Sequence, residues 1–216
     1  MGLEFSHSGF CDICESGVVC DPKYDWFRDH LLCSGCGSLP RERALMTVLK
    51  QYFPKWRFAN IHESSPGERG VSERLGRECR KYERSYHFHD VPKGATHPEF
   101  NARCENLEAL TFPDASFDLF VTQDVLVHVL DPASALCEVS RVLKTGGAHV
   151  FTVPLVNKHQ PTSARAKRAE SGDILHFEDQ QYHGRPTDQR GRWSPQIGVT
   201  IFLASFATPA ACQLMW

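Results

Sequence analysis

Four cysteines carry the clearest chemical signal in this chain. Cys11 and Cys14 form one C-x2-C pair, Cys33 and Cys36 form another, and eighteen residues separate the pairs. Two residues between cysteines let a tight turn aim both sulfurs at one point, and two such turns supply an all-sulfur tetrahedral shell that suits Zn2+. Gly35 within the second pair and Gly37 just after it help that turn form. Thiolate fills every position of such a shell, so no site stays open for water or substrate and the expected role is structural. Zinc binding worth roughly 10–16 kcal/mol would order a segment with this little apolar content. Cys20 and His30 stand as substitutes for one ligand, and a redox C-x-x-C is the competing use of either pair. Cys79, Cys104, Cys137 and Cys212 have no partner spacing and are expected to pack as small hydrophobes.

The elements that must position further chemistry begin at Arg41. Leu45, Val48, Leu49 and Phe53 recur at helical spacing before Pro54, which predicts an amphipathic helix. Apolar runs then alternate with helical segments. Strands are expected near Arg57–His62, Ser85–His89, Asn101–Cys104, Phe117–Thr122 and Ala148–Val153. Helices are expected near Gly67–Tyr82 and over Pro132–Leu143, the latter ended by the Gly146-Gly147 pair. This alternation predicts an α/β fold with a mostly parallel sheet and right-handed crossovers. From Pro154 to about Arg192 the chain is polar and shows no firm element. The stretch Trp193–Trp216 contains no Asp, Glu, Lys, Arg or His.

The 216 residues hold 24 Lys and Arg against 26 Asp and Glu, so no global basic field points to nucleic acid. The nine cysteines, with no basic and apolar leader in MGLEFSHSGF, argue for free or metal-bound thiols in a reducing compartment. The expected location is cytoplasmic, with no membrane partner, because no run of eighteen apolar residues exists. The domain reading is a zinc-binding knot over 1–40, a Rossmann-like domain over 41–192 and an atypical apolar tail over 193–216.

The segment NLEALTFPDASFDLFVTQDVLVHVLDPASALCEVSRVLKTGGAHVFTVP, Asn106 to Pro154, resembles the second half of class I S-adenosylmethionine-dependent methyltransferases of the type 11 group. That family has an amide or acidic residue before a Leu-x-Phe turn, then "sFD" opening a strand, a short helix carrying a His, and "RvLkpGG" before the next strand. The resemblance implies a Rossmann-like methyltransferase sheet with helices on both faces, behind the small N-terminal zinc knot. It implies S-adenosylmethionine as cofactor, with Asp90 gripping the ribose hydroxyls and Asn106 and Leu107 beside the adenine. It places Gln123, Asp124 and His128 where the family lines the methionine end and the substrate. His128 has packing as its other use, and Asp124 has helix capping.

The first half departs from the family. Where a Gly-x-Gly-x-Gly loop belongs, the chain reads IHESSPGERG, keeping only Gly67 and Gly70. Glu63, Ser64, Ser65 and Gly67 then stand as the residues for the amino and carboxylate ends of the methionine. Val127 also replaces the acid of the family's "lEHv". Methyl transfer to a hydroxyl requires an aligned nucleophile and one proton acceptor. In the run HFEDQQYHGRP, which is similar to runs in zinc-knuckled members of the superfamily, His183 and His176 are the candidate bases. The expected activity is methyl transfer to a small molecule or sugar. The competing reading is a non-catalytic zinc-containing scaffold on a degenerate methyltransferase fold, and a Rossmann-like NAD enzyme is disfavoured by the missing glycine fingerprint.

Overall fold

The computed structural model describes residues 7–22, 27–154, 164, 166–177, 182–183 and 194–195. In chain order its elements are β1 (His7–Cys11), β2 (Ser16–Pro22), α1 (Phe27–His30), β3 (Leu31–Cys33), α2 (Pro40–Tyr52) and β4 (Asn60–Ser64). They continue with α3 (Gly70–Glu78), β5 (Lys81–Tyr86), β6 (Thr96–His97), β7 (Ala102–Cys104), β8 (Phe117–Gln123), α4 (Pro132–Val142) and β9 (Leu143–Thr152). Short strands β10 (Ala166–Arg168), β11 (Ile174–His176), β12 (Tyr182–His183) and β13 (Ser194–Pro195) follow. The chain divides into two compact units, Met1–Ala59 with Gly67–Tyr82, and Asn60–Pro66 with Glu83–Trp216.

In the first unit, β1, β2 and β3 form an antiparallel sheet in that order. Helix α2 starts on Pro40, whose fixed φ suits a first helical position. Glu42 reaches back to accept the Leu39 amide at 2.7 Å, satisfying a donor the helix itself cannot pair. Leu45, Met46 and Leu49 are buried, whereas Val48, expected on the same stripe, is exposed. Helix α3 contributes buried Val71 and Leu75, and Trp56 is buried in the turn after α2.

The second unit holds a six-stranded sheet in the order β6-β7-β5-β4-β8-β9. β4 runs parallel to β8, β8 to β9, and β5 to β7, and only the edge strand β6 is antiparallel to its neighbour. This is the expected α/β, mostly parallel Rossmann-like fold. Asp131 caps α4 by accepting the Ala133 and Ser134 amides at 3.1 Å each. Ala135, Val139 and Val142 of α4 bury their side chains in one cluster with Phe117 and Phe120 of β8 and with Leu107, Leu110 and Phe112.

His62, inside the central strand β4, is fully buried. The Phe112, Phe117 and Phe120 rings lie 4.7, 5.1 and 4.7 Å from its ring, and its Nε2 is 3.0 Å from Ser85 Oγ. Nδ1 has no hydrogen-bond partner. Burial, with the Arg103 charge acting in the same direction, holds the imidazole pKa down at about 3.

Several boundaries differ from the sequence expectation. The strand placed at Arg57–His62 starts later, because Trp56–Phe58 closes a 3-10 turn with Ala59 donating to the Trp56 carbonyl. The second strand runs earlier, ending at Tyr86 and not at His89. Helix α3 is shorter than Gly67–Tyr82. The Gly146-Gly147 pair does not end α4: the helix closes at Leu143, whose amide bonds the Val139 carbonyl, and the glycines sit in a bulge of β9. Beyond Pro154, where no element is expected, β10 and β11 pair as an antiparallel hairpin. Of the tail, only Ser194 and Pro195 are described. Among the described residues, no helix is long and apolar enough to cross a membrane.

Candidate metal and cofactor sites

The two cysteine turns of the first unit share one geometry. The amide of Glu15 donates to the Cys11 carbonyl and that of Gly37 to the Cys33 carbonyl, each at 2.8 Å. Both donors sit at positive φ, 53° and 65°, so each turn folds back on its fourth residue. The strand register sets Cys20 opposite Cys33 and Cys11 opposite Ser16, which brings the two turns to one end of the small sheet. Cys11, Cys14, Cys33 and Cys36 then present sulfurs that all lie within 4.8 Å of one another, a group able to hold a metal ion. Cys11 Sγ to Cys36 Sγ and Cys14 Sγ to Cys33 Sγ are each 3.8 Å. Neither Cys20 nor His30 joins the group. Burial opposes ionisation of Cys11, but the amides of Cys14 and Ile13 and the Ser38 hydroxyl bring its thiol down to about 7. Burial, with the neighbouring Cys33 and Cys11 sulfurs adding, pushes Cys36 up to about 12.

In the second unit, strand order identifies where a ligand belongs. The chain leaves β4 toward β5 on one side and later returns with β8 on the other, so the direction of winding switches between β4 and β8. In open α/β sheets the crevice beyond the carboxyl ends at such a switch is the binding place. Glu63 and Ser64 end β4 there, both buried, and Gln123 ends β8. The Gln123 amide donates to Glu63 Oε1 at 2.8 Å, which joins the two strand ends. Asp124 follows at φ 55°, its amide bonding the Thr152 carbonyl at 2.9 Å and its carboxylate accepting from Thr152 Oγ1 at 3.1 Å. It therefore does not cap a helix, and the residues after it form only a 3-10 turn, Leu126–His128, which leaves His128 half-buried.

The other expected cofactor residues are placed as follows. Asn106 Oδ1 accepts the Glu108 amide at 3.0 Å, and Leu107 is buried in the cluster with Leu110 and Phe112. Asp90 lies four residues past the end of β5, 74% exposed, with its carboxylate 3.5 Å from His97 Nε2. Gly67 belongs to the first unit, where its amide donates to Ser72 Oγ at 3.2 Å. Among the candidate bases, His176 is exposed on β11, and His183 lies in β12 with its side chain outside the described residues.

Four residues shape this site, and three of them, all acidic, have no motif signal of their own. Glu105, buried, accepts from Arg103 Nε at 2.6 Å and from the Thr111 amide at 2.9 Å. Glu108 accepts the Leu130 amide at 2.6 Å, and Glu138 accepts the Leu110 amide at 2.8 Å. Arg141 donates to the Leu110 and Phe112 carbonyls at 3.0 and 2.9 Å and pairs with Glu138 at 2.8 Å. Together they pin the loop that carries Asn106 and Leu107. The Arg of "RVLKTGG" was the one sequence signal for them, since a charge on an otherwise apolar helix face needs a partner. Cys79 and Cys104 are buried as expected, and Cys212 lies outside the described residues.

Residues 70–151 match a family model described as a methyltransferase domain. A dimethylglycine N-methyltransferase of Parasynechococcus marenigrum is 48% identical over 50 residues, 23% of this chain and 18% of that protein. A protein of Mycolicibacterium smegmatis named a probable S-adenosylmethionine-dependent methyltransferase is 38% identical over 60 residues, 28% of this chain and 23% of that protein. Both matches thus span less than a quarter of the relative's length. An S-adenosylmethionine-dependent methyltransferase from Mesorhizobium loti, known from its crystal structure, aligns over 72% of this chain and 75% of its own at 22% identity and a TM-score of 0.40. Over residues 70–151 the chain is therefore similar to the methyltransferase-domain family, on the α/β sheet that its strand order defines.

Proposed function

We propose that this chain is an S-adenosylmethionine-dependent methyltransferase acting on a small molecule or sugar, with a structural zinc ion in its cysteine knot. One observation carries the reading: Glu63 and Gln123, joined at 2.8 Å, stand at the carboxyl ends of the two strands where the sheet switches direction. The residues present fit the cofactor. A buried carboxylate at a strand end suits an ammonium group, and Asn106 offers an amide and Asp90 a carboxylate for polar edges and hydroxyls. Bound there, the cofactor supplies a methyl group on a sulfonium centre. Glu63, Ser64, Gln123 and Asp124 would hold its methionine end, Asp90 its ribose, and Asn106 with Leu107 its adenine. The chain's remaining tasks are alignment of the acceptor and, for a hydroxyl, removal of one proton. His183, His176 and His128 are the residues proposed for that transfer. Replacing each by Gln tests it, and unchanged turnover in all three would end the assignment.

For the knot, a tetrahedral ion with metal–sulfur bonds of about 2.3 Å requires sulfur–sulfur edges of about 3.8 Å. The two 3.8 Å sulfur pairs meet that requirement. The deciding experiment for the activity is calorimetric titration of the zinc-loaded protein with S-adenosylhomocysteine, beside Asp90→Ala. Micromolar binding that the variant loses is expected. No binding by well-folded protein would leave the non-catalytic scaffold as the better reading.

A further inference from the structure

The two residues between the first pair of cysteines, Asp12 and Ile13, are gripped from outside the knot. Arg74, on α3, donates from Nη1 to the Asp12 carbonyl at 2.6 Å and to the Ile13 carbonyl at 2.7 Å. Its Nη2 pairs with Glu15 at 2.7 Å, the residue whose amide closes the first cysteine turn, and its Nε pairs with Glu78 at 3.1 Å. Only 3% of the Arg74 side chain is exposed. A buried guanidinium that spends its donors on two adjacent carbonyls and a carboxylate requires those acceptors to hold one geometry. The same turn aims the Cys11 and Cys14 sulfurs at one point, so an ion bound there and Arg74 act on one segment.

The second cysteine turn reaches the same segment by another route. Cys36 Sγ contacts Ser38 Oγ at 3.1 Å, and Ser38 Oγ lies 3.7 Å from Cys11 Sγ. The next residue, Leu39, gives its amide to Glu42, and the Glu42 carboxylate lies where a Cβ on Gly70 would stand, 2.5 Å from Oε2. Gly70, at φ 63°, opens α3. Arg74 is therefore bonded to residues adjacent to Cys11 and Cys14, and the start of α3 packs against Glu42, which holds Leu39 after the second cysteine turn.

We propose that Arg74 is a positioning residue that makes the order of helix α3 depend on metal occupancy of the cysteine knot. The inference rests on the reading of the four thiolates as zinc ligands.

The test uses the full chain, as wild type and Arg74→Lys, with zinc content measured first and backbone hydrogen exchange read over 71–78 and, as reference, over 117–123. Lysine keeps the charge, but one ammonium cannot stand at once where Nη1, Nη2 and Nε stand, so it cannot hold the two carbonyls, Glu15 and Glu78 together. In the wild type, stripping zinc with EDTA under reducing conditions is expected to speed exchange over 71–78 at least tenfold. In zinc-loaded Arg74→Lys the same segment is expected to exchange at least tenfold faster than wild type at full zinc content, with 117–123 unchanged, and stripping adds little more. If stripping unfolds the whole wild-type chain, the zinc-loaded variant decides alone. Wild-type protein without zinc would overturn the metal reading and this inference together. Zinc-loaded protein whose 71–78 exchange ignores the Arg74→Lys change would overturn the inference alone.

Discussion

Acid should weaken this fold well before its carboxylates titrate, through two imidazoles, His62 and His149, that burial keeps neutral. In the unfolded chain the His62 imidazole ionises near 6.5, whereas in the folded chain it does so only near 3. Between those values the unfolded state binds the extra proton, so stability is fully present above about pH 6.5 and falls as pH drops toward 3. Each pH unit in that window is worth about 1.4 kcal/mol, and from pH 7.5 to pH 5 the single residue costs about 2 kcal/mol. His62→Leu removes the titration while filling similar space among Phe112, Phe117 and Phe120. The variant forgoes the Ser85 contact at every pH, so that loss cancels in the comparison. Urea unfolding of both proteins at pH 7.5 and pH 5 gives the measurement. The wild type should lose about 2 kcal/mol more than the variant over that interval, and equal losses would refute the assignment of a neutral buried His62.

Two further predictions concern the loop and bulge that flank the site. Arg141→Met leaves the Leu110 and Phe112 carbonyls without their guanidinium donor and the Glu138 carboxylate without its cation, and urea unfolding should show a loss of about 2–3 kcal/mol. Arg141→Lys should recover less than half of that, because one ammonium cannot serve two carbonyls and a carboxylate. At the glycine pair, a Cβ on Gly147 would meet the Lys144 carbonyl oxygen at 2.9 Å and that of Asp118 at 3.0 Å, while one on Gly146 meets nothing within 4 Å. Gly147→Ala should therefore cost about 2–3 kcal/mol through forced backbone shifts, against about 1 kcal/mol for Gly146→Ala from its φ of 81° alone. Thermal or urea melts that rank the pair the other way would refute the steric account.

Legibility of the fold in the sequence followed the strength of local patterns. FDLFV is apolar enough to be buried on both faces, and it reads as a central strand without ambiguity. KYERSY is mostly polar and gives no apolar strand signal, so the pattern points to Ser85–His89 while the strand itself lies over Lys81–Tyr86. The Gly146-Gly147 pair gives the same local signal as a helix stop, yet its cause is the close approach of the Lys144 carbonyl in the same bulge and of the Asp118 carbonyl on β8. The cysteine group was legible because the turn spacing itself aims the sulfurs. The supports of the Asn106 loop were not, since Glu105, Glu108 and Glu138 bind backbone groups that no spacing rule connects. Arg74 belongs with them: on a helix of mixed polarity it looks like any solvated cation, and only the folded chain brings it to the Asp12 and Ile13 carbonyls.

The path of the chain between its two compact units bears on how the protein is made. It crosses from the first unit to the second after Ala59, back at Gly67, and out again after Tyr82. During synthesis the cysteine turns emerge some forty residues ahead of Arg74, so they can capture an ion while the carbonyls of Asp12 and Ile13 still face water. Completion of the first unit waits on a segment that the second unit's strand β4 has already separated from it along the chain. Such distant pairing slows folding relative to local closure. A protein fragment ending before residue 70 would therefore display metal-binding turns without the Arg74 contacts that lock them, and neither unit can be expressed as one uninterrupted stretch.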